Sequence, residues 1–303
     1  MAYLNPAYSS SDHLYGVDVP IIQNVPDASR TLILTESDRD AVMEFLNKRP
    51  VHTVAMTSFI NDNGIESPLN RGRFYGYYNL QGDLEGVALI GHSTLVEART
   101  DEALRALALA ARTPETPIHL VMSGGTAAET FWQYMTGGIS KPRLTCTESL
   151  FEINFPFLVS NCSYEIRNAR PEELLPVAEA QTEIAFMECG IDPMTKDREG
   201  FLTRVARRIE QGRVFVVVED GKLLFKADII AETEKVIYLE GIYVAPESRR
   251  KGLGSQCLAK LSLELMSRAE TVCLLSNVDF KNAHKCYEKA GYRNTDMCTT
   301  LFV

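Results

Sequence analysis

Apolar and polar positions repeat with two different periods in the first half of the chain. A helical period predicts α-helices at 37–47, 101–112 and 127–135. Alternating or continuous apolar runs, bounded by turn residues, predict β-strands at 74–78, 86–90, 93–98, 118–122 and 145–154. The first half therefore mixes helices with strands.

The second half shows a more regular order of elements, β-α-α-β-β-β-α-β-α-β. Its predicted strands are 164–167, 213–219, 223–231, 236–244, 271–276 and 295–303. Its predicted helices are 171–185, 201–211, 255–267 and 282–290. Because the strands form a meander early and alternate with helices later, we predict an α/β fold with a mixed, mostly antiparallel sheet and helices on both faces.

The length of 303 residues suggests two domains. Residues 1–30 are polar and rich in Ser, Asn, Asp and Pro, so they are interpreted as an irregular leader. Gly-Gly, Lys-Pro and Phe-Pro interrupt the pattern between 137 and 165. We therefore place one domain at 31–160 and a second at 161–303.

Charge and cysteine content restrict the class of function. The chain has 31 basic and 40 acidic residues, a net charge of −9, which argues against a general nucleic-acid binder. It has no apolar run of membrane-spanning length and no secretory signal pattern at its start, so no membrane is expected. Seven cysteines without C-x-x-C spacing predict reduced thiols in a cytoplasmic protein with no metal site.

The segment 239–261 is the clearest candidate for a functional motif in the chain. After a strand and a turn it runs Arg-Arg-Lys-Gly-Leu-Gly directly into a helix, with Gly252 and Gly254 allowing close backbone approach. Exposed amides at a helix start form an anion site suited to a pyrophosphate. The spacing fits neither a P-loop nor the dinucleotide fingerprint. A simple helix-initiating glycine turn is the alternative reading of these residues.

Two motifs resemble those of the GNAT superfamily of acyl-CoA N-acyltransferases. The first is the strand I-Y-V-x-P followed by R-x-x-G-x-G, carried here by Ile242, Tyr243, Val244, Pro246, Arg249, Gly252 and Gly254. The second resembles the family's next motif, carried by Asn277, Asn282, Ala283, Tyr287, Glu288, Lys289, Gly291 and Tyr292. The resemblance covers about 163–303, the length of a full domain.

The resemblance implies a bound acetyl-CoA and its transfer to an amine. The pyrophosphate would rest on the loop residues Arg249, Arg250, Lys251, Gly252, Leu253, Gly254 and Ser255. The pantetheine arm would pair with the backbone of Ile242, Tyr243 and Val244. The asparagines Asn277 and Asn282 would contact the cofactor near the point where the strands separate.

The resemblance also implies two catalytic residues. Tyr287 would be the general acid that protonates the leaving thiolate, or else an aromatic side chain packed on the sheet. Glu240 would be the general base that takes the amine proton, or else a carboxylate paired with a cation such as Lys226. Strand alternation predicts that Glu240 faces the same side as Ile242 and Val244.

The amine acceptor is left open by the sequence. It could be a small amine, an antibiotic, an amino acid, a peptide N-terminus or a protein lysine. The segment 187–197 carries Glu188, Asp192 and Asp197, which could bind a cationic amine or form a solvated loop. A non-catalytic CoA-binding sensor is the alternative function, and a monomer or a homodimer is expected.

The first half resembles a degenerate copy of the second. Residues 94–125 align loosely with 242–277, since both run strand, loop, Ala/Leu-rich helix and strand. The loop at 98–101 has no glycine pair and carries Asp101, with Glu102 directly after it, so it would repel a pyrophosphate. We predict that this half binds no CoA and shapes the acceptor site or supports the second half; an unrelated α/β domain is the alternative.

Overall fold

The computed structural model describes residues 30–115, 117–155 and 162–303. The leader predicted at 1–30, apart from its last residue, and the domain boundary predicted near 160 lie outside these residues. In the described part of the chain, twelve strands form one sheet in the order β1-β2-β3-β4-β5-β12-β6-β11-β10-β9-β8-β7. The strands are β1 Thr31–Ile33, β2 Gly72–Tyr78, β3 Leu84–Gly91, β4 Ser93–Ala98, β5 Leu120–Gly124, β6 Leu144–Ile153, β7 Arg167–Asn168, β8 Val214–Glu219, β9 Lys222–Glu232, β10 Val236–Val244, β11 Thr271–Asn277 and β12 Arg293–Phe302.

Helices cover both faces of this sheet. They are α1 Arg39–Leu46, α2 Pro50–Asn63, α3 Asp101–Ala110, α4 Ala127–Thr136, α5 Leu174–Cys189, α6 Pro193–Lys196, α7 Arg198–Glu210, α8 Leu253–Leu265 and α9 Lys281–Lys289. The sequence pattern missed α2 and β1, and the strand predicted at 164–167 is reduced to the two-residue β7. No helix of the described chain is long and apolar enough to cross a membrane.

The two halves repeat one topology, as the sequence predicted. In the first half α3 connects the parallel strands β4 and β5, and in the second half α8 connects the parallel strands β10 and β11. The other strands pair in antiparallel fashion. The mixed sheet and the tandem arrangement of two similar units are therefore confirmed.

The halves exchange their last strands. Strand β6 ends the first half in sequence but pairs with β11 of the second half, with Asn277 opposite Glu148. Strand β12 ends the second half but pairs with β5 of the first, with Cys298 opposite Gly124. The two exchanged strands also pair with each other at the centre of the sheet. A residue of β6 can therefore reach a site built on the second half.

Separate apolar clusters lie on the two faces. Helices α3, α4, α8 and α9 pack on one face, and α1, α2, α5 and α7 pack on the other. Helix α2 also crosses from the first half onto β9 and β10 of the second. There Ser58 Oγ accepts the amide of Glu232 at 3.2 Å, and Asp62 pairs with Arg213 at 2.9 Å. These contacts fix the position of the two halves relative to each other.

Candidate active site

A bulge separates the parallel strands β10 and β11. Their pairing stops at Leu239 and Leu274, and beyond this point residues 240–244 have no partner on β11. On the other edge, the register with β9 shifts between Glu240 and Tyr243. Gly241, inside the bulge, has a φ of +62°, which favours glycine. The second half therefore has a V-shaped opening with an unpaired strand edge.

A buried lysine holds this bulge in place. Lys226 is fully buried on β9, and its Nζ donates to the carbonyl of Gly241 at 3.1 Å and to Gln181 Oε1 at 2.8 Å. Its charge is balanced by Asp228 at 2.7 Å, which also pairs with Arg208 at 2.9 Å. Lys226 thus pairs with Asp228 and not with Glu240, the ion pair that the sequence offered as the alternative role of that glutamate.

The loop after β10 presents unsatisfied backbone amides. Gly252 is the N-cap residue of α8 and has a φ of +87°. As a glycine it has no side chain that could accept a hydrogen bond from the first amides of the helix. Among the described residues, the amides of 250–255 donate to no protein acceptor. A Cβ at Gly254 would lie 2.9 Å from Val244 Cγ2 and 3.1 Å from Cys286 Sγ, so this glycine lets α8 begin directly against β10 and α9. The arrangement fits an anionic group at the helix start.

The three cations of the loop have different surroundings. The Arg249 side chain donates to the carbonyl of Val244 at 2.8 Å and pairs with Glu183 at 2.7 Å, which joins the loop to α5. Arg250 adopts a positive φ of 64°, and both it and Lys251 are exposed. Within the described chain neither Arg250 nor Lys251 forms an ion pair. Arg249 therefore supports the loop, while the other two can meet an anion.

The second motif lies on the opposite side of the opening. Tyr287 is buried on α9, and burial raises the pKa of its phenol, so the hydroxyl stays protonated and can donate. Asn282 is exposed in the first turn of α9. Asn277 Oδ1 instead accepts the amide of Asp279 at 2.9 Å, which places this side chain in a turn at the end of β11.

Glu240 faces the other side of the sheet from the one predicted. Tyr238 donates to its Oε1 at 2.6 Å on the face covered by α2 and α5, whereas Ile242 and Val244 pack on the face of α8 and α9. The bulge at Gly241 interrupts the alternation on which the prediction relied. Burial raises the pKa of Glu240, so its carboxylate is a stronger proton acceptor than that of an exposed glutamate.

Two further glutamates lie near Glu240. Glu148, on the exchanged strand β6, accepts from Thr300 Oγ1 at 2.5 Å, and burial raises its pKa to about 7. Glu188, at the end of α5, reaches solvent, yet desolvation of its carboxyl and the charges of the other two glutamates raise its pKa to about 8. Sequence reasoning named Glu188 but missed Glu148, since nothing in the sequence indicates the strand exchange.

The other two acidic residues of 187–197 are structural. Asp192 caps α6 by accepting the amides of Met194 and Thr195. Asp197 caps α7 and pairs with Arg204 at 3.4 Å. Of Glu188, Asp192 and Asp197, the three candidates for binding the amine, Glu188 alone therefore lies near Glu240.

The equivalent opening in the first half is filled by side chains. Parallel pairing of β4 and β5 stops at Leu95 and Met122. Arg49, at the start of α2, pairs there with the buried Glu97 at 3.1 Å, and His52 contacts Asp296 at 3.0 Å. A Cβ at Gly124, the end of β5, would lie 2.8 Å from the His52 ring. Side chains of this chain thus occupy the space that stays open in the second half.

Comparison with known proteins agrees with this geometry. Residues 210–294 match the family model described as acetyltransferase (GNAT) domain. A search of curated proteins finds no match to the chain. The family match includes β10, the glycine loop, α8 and all of the second motif.

Solved structures match nearly the whole chain at low sequence identity. A Drosophila protein aligns with a TM-score of 0.62 and 14% identity over 90% of this chain and 98% of its own. A GNAT-family acetyltransferase from Colwellia psychrerythraea aligns with a TM-score of 0.52 and 14% identity over 90% and 99%. A tandem GNAT protein from the clavulanic acid biosynthesis pathway aligns with a TM-score of 0.52 and 13% identity over 90% and 98%. Residues 210–294 thus match an acetyltransferase (GNAT) domain, and the chain shares the fold of a tandem GNAT protein.

Proposed function

We propose that this protein is an N-acetyltransferase that moves an acetyl group from acetyl-CoA to an amine at one site in its second half. The observation that carries the proposal is the opening between β10 and β11 beside the glycine loop. An unpaired strand edge, unsatisfied amides and two exposed cations, Arg250 and Lys251, meet there. Acetyl-CoA would supply the thioester, with its pyrophosphate at the amides of 250–255.

The side chains around the opening suit direct transfer. The amine nitrogen forms a bond to the acetyl carbonyl carbon, and the carbon–sulfur bond breaks. Glu240 takes the proton that the amine loses, directly or through water, because its raised pKa makes it a suitable base. Tyr287 gives a proton to the leaving thiolate. A cysteine nucleophile is not required by this route.

The first half would support the second without binding acetyl-CoA. Its opening is filled by Arg49 and His52, and Asp101 and Glu102 occupy the first turn of α3, where the second half has its glycine loop. Negative charge at this helix start disfavours a pyrophosphate. Its contribution to the second site would be the exchanged strand β6, which carries Glu148.

Turnover with a panel of amines tests this function. The purified chain is mixed with acetyl-CoA and each amine, and release of free CoA thiol is followed together with the mass of the product. We expect the product to be about 42 Da heavier than the amine, because one acetyl group replaces one hydrogen on the nitrogen. Binding of acetyl-CoA without turnover on any amine would instead support the CoA-binding sensor that is the second candidate.

A further inference from the structure

Helix α5 contacts both segments that border the opening, the bulge and the glycine loop. Toward the bulge, Gln181 Oε1 accepts from the buried Lys226 Nζ at 2.8 Å, and a Cβ at Gly241 would lie 2.6 Å from the same oxygen. Toward the loop, Glu183 pairs with Arg249 at 2.7 Å. One helix therefore holds two separate backbone segments of the second half.

The two contacts leave the helix on different sides. At roughly 3.6 residues per turn, Gln181 and Glu183 are separated by more than half a turn. The stripe between them carries the buried side chains of Val177, Ala180 and Ile184. Burial of this stripe fixes α5 on the sheet, so the two polar side chains on its flanks are fixed as well.

Arg249 is oriented toward α5 by three partners. Its Nη2 donates to Glu183 Oε1 at 2.7 Å, and its Nε donates to the carbonyl of Val244 at 2.8 Å. Its guanidinium lies 5.8 Å from the centre of the Tyr243 ring. Since both of these last partners belong to the unpaired edge of β10, the same arginine joins the end of that edge to α5.

The proposed reaction requires the thioester to lie at the bulge beside Glu240. In the proposed complex, the glycine loop holds the pyrophosphate and the unpaired edge of β10 holds the pantetheine arm. A ligand held at one end places its other end correctly only when the distance between its two binding segments is fixed. Helix α5 fixes that distance, because it holds both segments.

We propose that Glu183 is a positioning residue that sets the spacing between the glycine loop and the bulge through Arg249; this rests on the proposed function. It thereby places the thioester of a cofactor whose pyrophosphate rests on the loop. The donors that depend on Glu183 are acyl-CoA thioesters with an intact pyrophosphate. Because the side chains of the pair are 42% and 39% exposed, the effect of its loss is modest.

Two acetyl donors of different length test this positioning. Steady-state kinetics use the amine with the highest turnover in the panel, with acetyl-CoA and with S-acetylpantetheine, which has the thioester but no pyrophosphate. In Glu183→Gln, we expect the ratio of kcat/KM for acetyl-CoA over S-acetylpantetheine to fall about fivefold. A calorimetric Kd for acetyl-CoA on the same preparation should rise by a similar factor and requires no turnover. Glu179→Gln, exposed one turn earlier in α5, is the matched control and should keep both values.

A double variant shows whether Glu183 acts through Arg249. Arg249→Gln should weaken acetyl-CoA binding at least as much as Glu183→Gln, since it also loses the bond to the carbonyl of Val244. Adding Glu183→Gln to Arg249→Gln should then cause no further loss, because the two residues act as one unit. Circular dichroism of each variant verifies that it is folded.

The possible failures are distinct. An unchanged ratio and Kd in Glu183→Gln, equal losses with both donors, or a further loss in the double variant would overturn the positioning role and leave acetyl transfer intact. Tighter binding of acetyl-CoA in Glu183→Gln would also overturn it, since the glutamate would then be holding Arg249 away from the cofactor. Binding without turnover on any amine would remove the proposed transfer, and the Kd of the variant would still decide the role of Glu183. Absence of acetyl-CoA binding in the wild type would overturn both.

Discussion

Replacing Glu240 with glutamine is expected to lower kcat by about 10²- to 10⁴-fold, the usual range for loss of a general base. The amide cannot accept a proton but keeps an oxygen to which Tyr238 can donate, as it does to the carboxylate at 2.6 Å. The variant should therefore still bind acetyl-CoA. Steady-state kinetics and a binding titration on the same preparation separate the two effects.

The pH dependence distinguishes a base from a structural carboxylate. A carboxyl with a raised pKa is protonated at low pH, so wild-type kcat/KM should rise with pH as Glu240 ionises. Because the free amine becomes more abundant at high pH, the deficit of Glu240→Gln should shrink there. Glu234→Gln, an exposed residue in the turn before β10, is the control. Retention of more than half of the wild-type kcat in Glu240→Gln would contradict its role.

Replacing Lys226 with methionine is expected to destabilise the fold by up to about 3–5 kcal/mol, since it breaks a buried ion pair and leaves the Asp228 carboxylate with Arg208 as its remaining partner. The side chain is fully buried and bonds Gly241, Gln181 and Asp228. Loss of the bond to Gly241 also removes what holds the bulge open. Affinity for acetyl-CoA should therefore fall at least tenfold, together with the free energy of unfolding measured by denaturant.

Two companion variants make the lysine prediction specific. Lys222→Met, on the exposed end of the same strand β9, should change neither stability nor binding. Adding Asp228→Asn to Lys226→Met removes the buried carboxylate and leaves Arg208, whose side chain is 28% exposed, to be hydrated; it should recover part of the stability, but not the acetyl-CoA affinity. Full recovery of binding in the double variant would show that the lysine does not hold the bulge.

The loop-to-helix geometry of the proposed cofactor side could be predicted from the sequence because its residues are adjacent in the chain. Gly252, Gly254 and the following helix form one continuous loop-to-helix motif, and Tyr287 belongs to a second continuous motif. The structure brings both motifs to the opening between β10 and β11. The spacing of residues along the chain was sufficient to predict this loop, since anion binding there would depend on the backbone amides at the start of a helix.

The acceptor side could not be predicted in the same way. Glu148 reaches the site only because β6 is exchanged between the halves, a long-range pairing without a local signal. Nothing in the sequence distinguishes Lys226, which lies in an apolar strand. Two of its partners, Gln181 and Gly241, come from α5 and from the bulge. The orientation of Glu240 was predicted wrongly because a bulge cannot be read from alternation alone.

Helix α2 shows a related limit for the fold. Its apolar residues are spread around the helix, since it packs against strands of both halves, with Val54 and Ile60 buried in different clusters. Without one apolar stripe, the helical period that identified α3 is absent from 50–63. The segment that fills the first half's opening was thus the segment whose pattern was least informative.

Calorimetric titration of acetyl-CoA into the full chain tests the central claim, a single cofactor site in the second half. We expect one molecule bound per chain, and loss of binding both in Gly252→Asp/Gly254→Asp and in the exposed pair Arg250→Glu/Lys251→Glu, which leaves the helix packing intact. Gly221→Asp, at a glycine with a φ of +73° and open space around it, is the matched control and should bind normally. Two molecules per chain, or binding that survives both loop variants, would contradict the account.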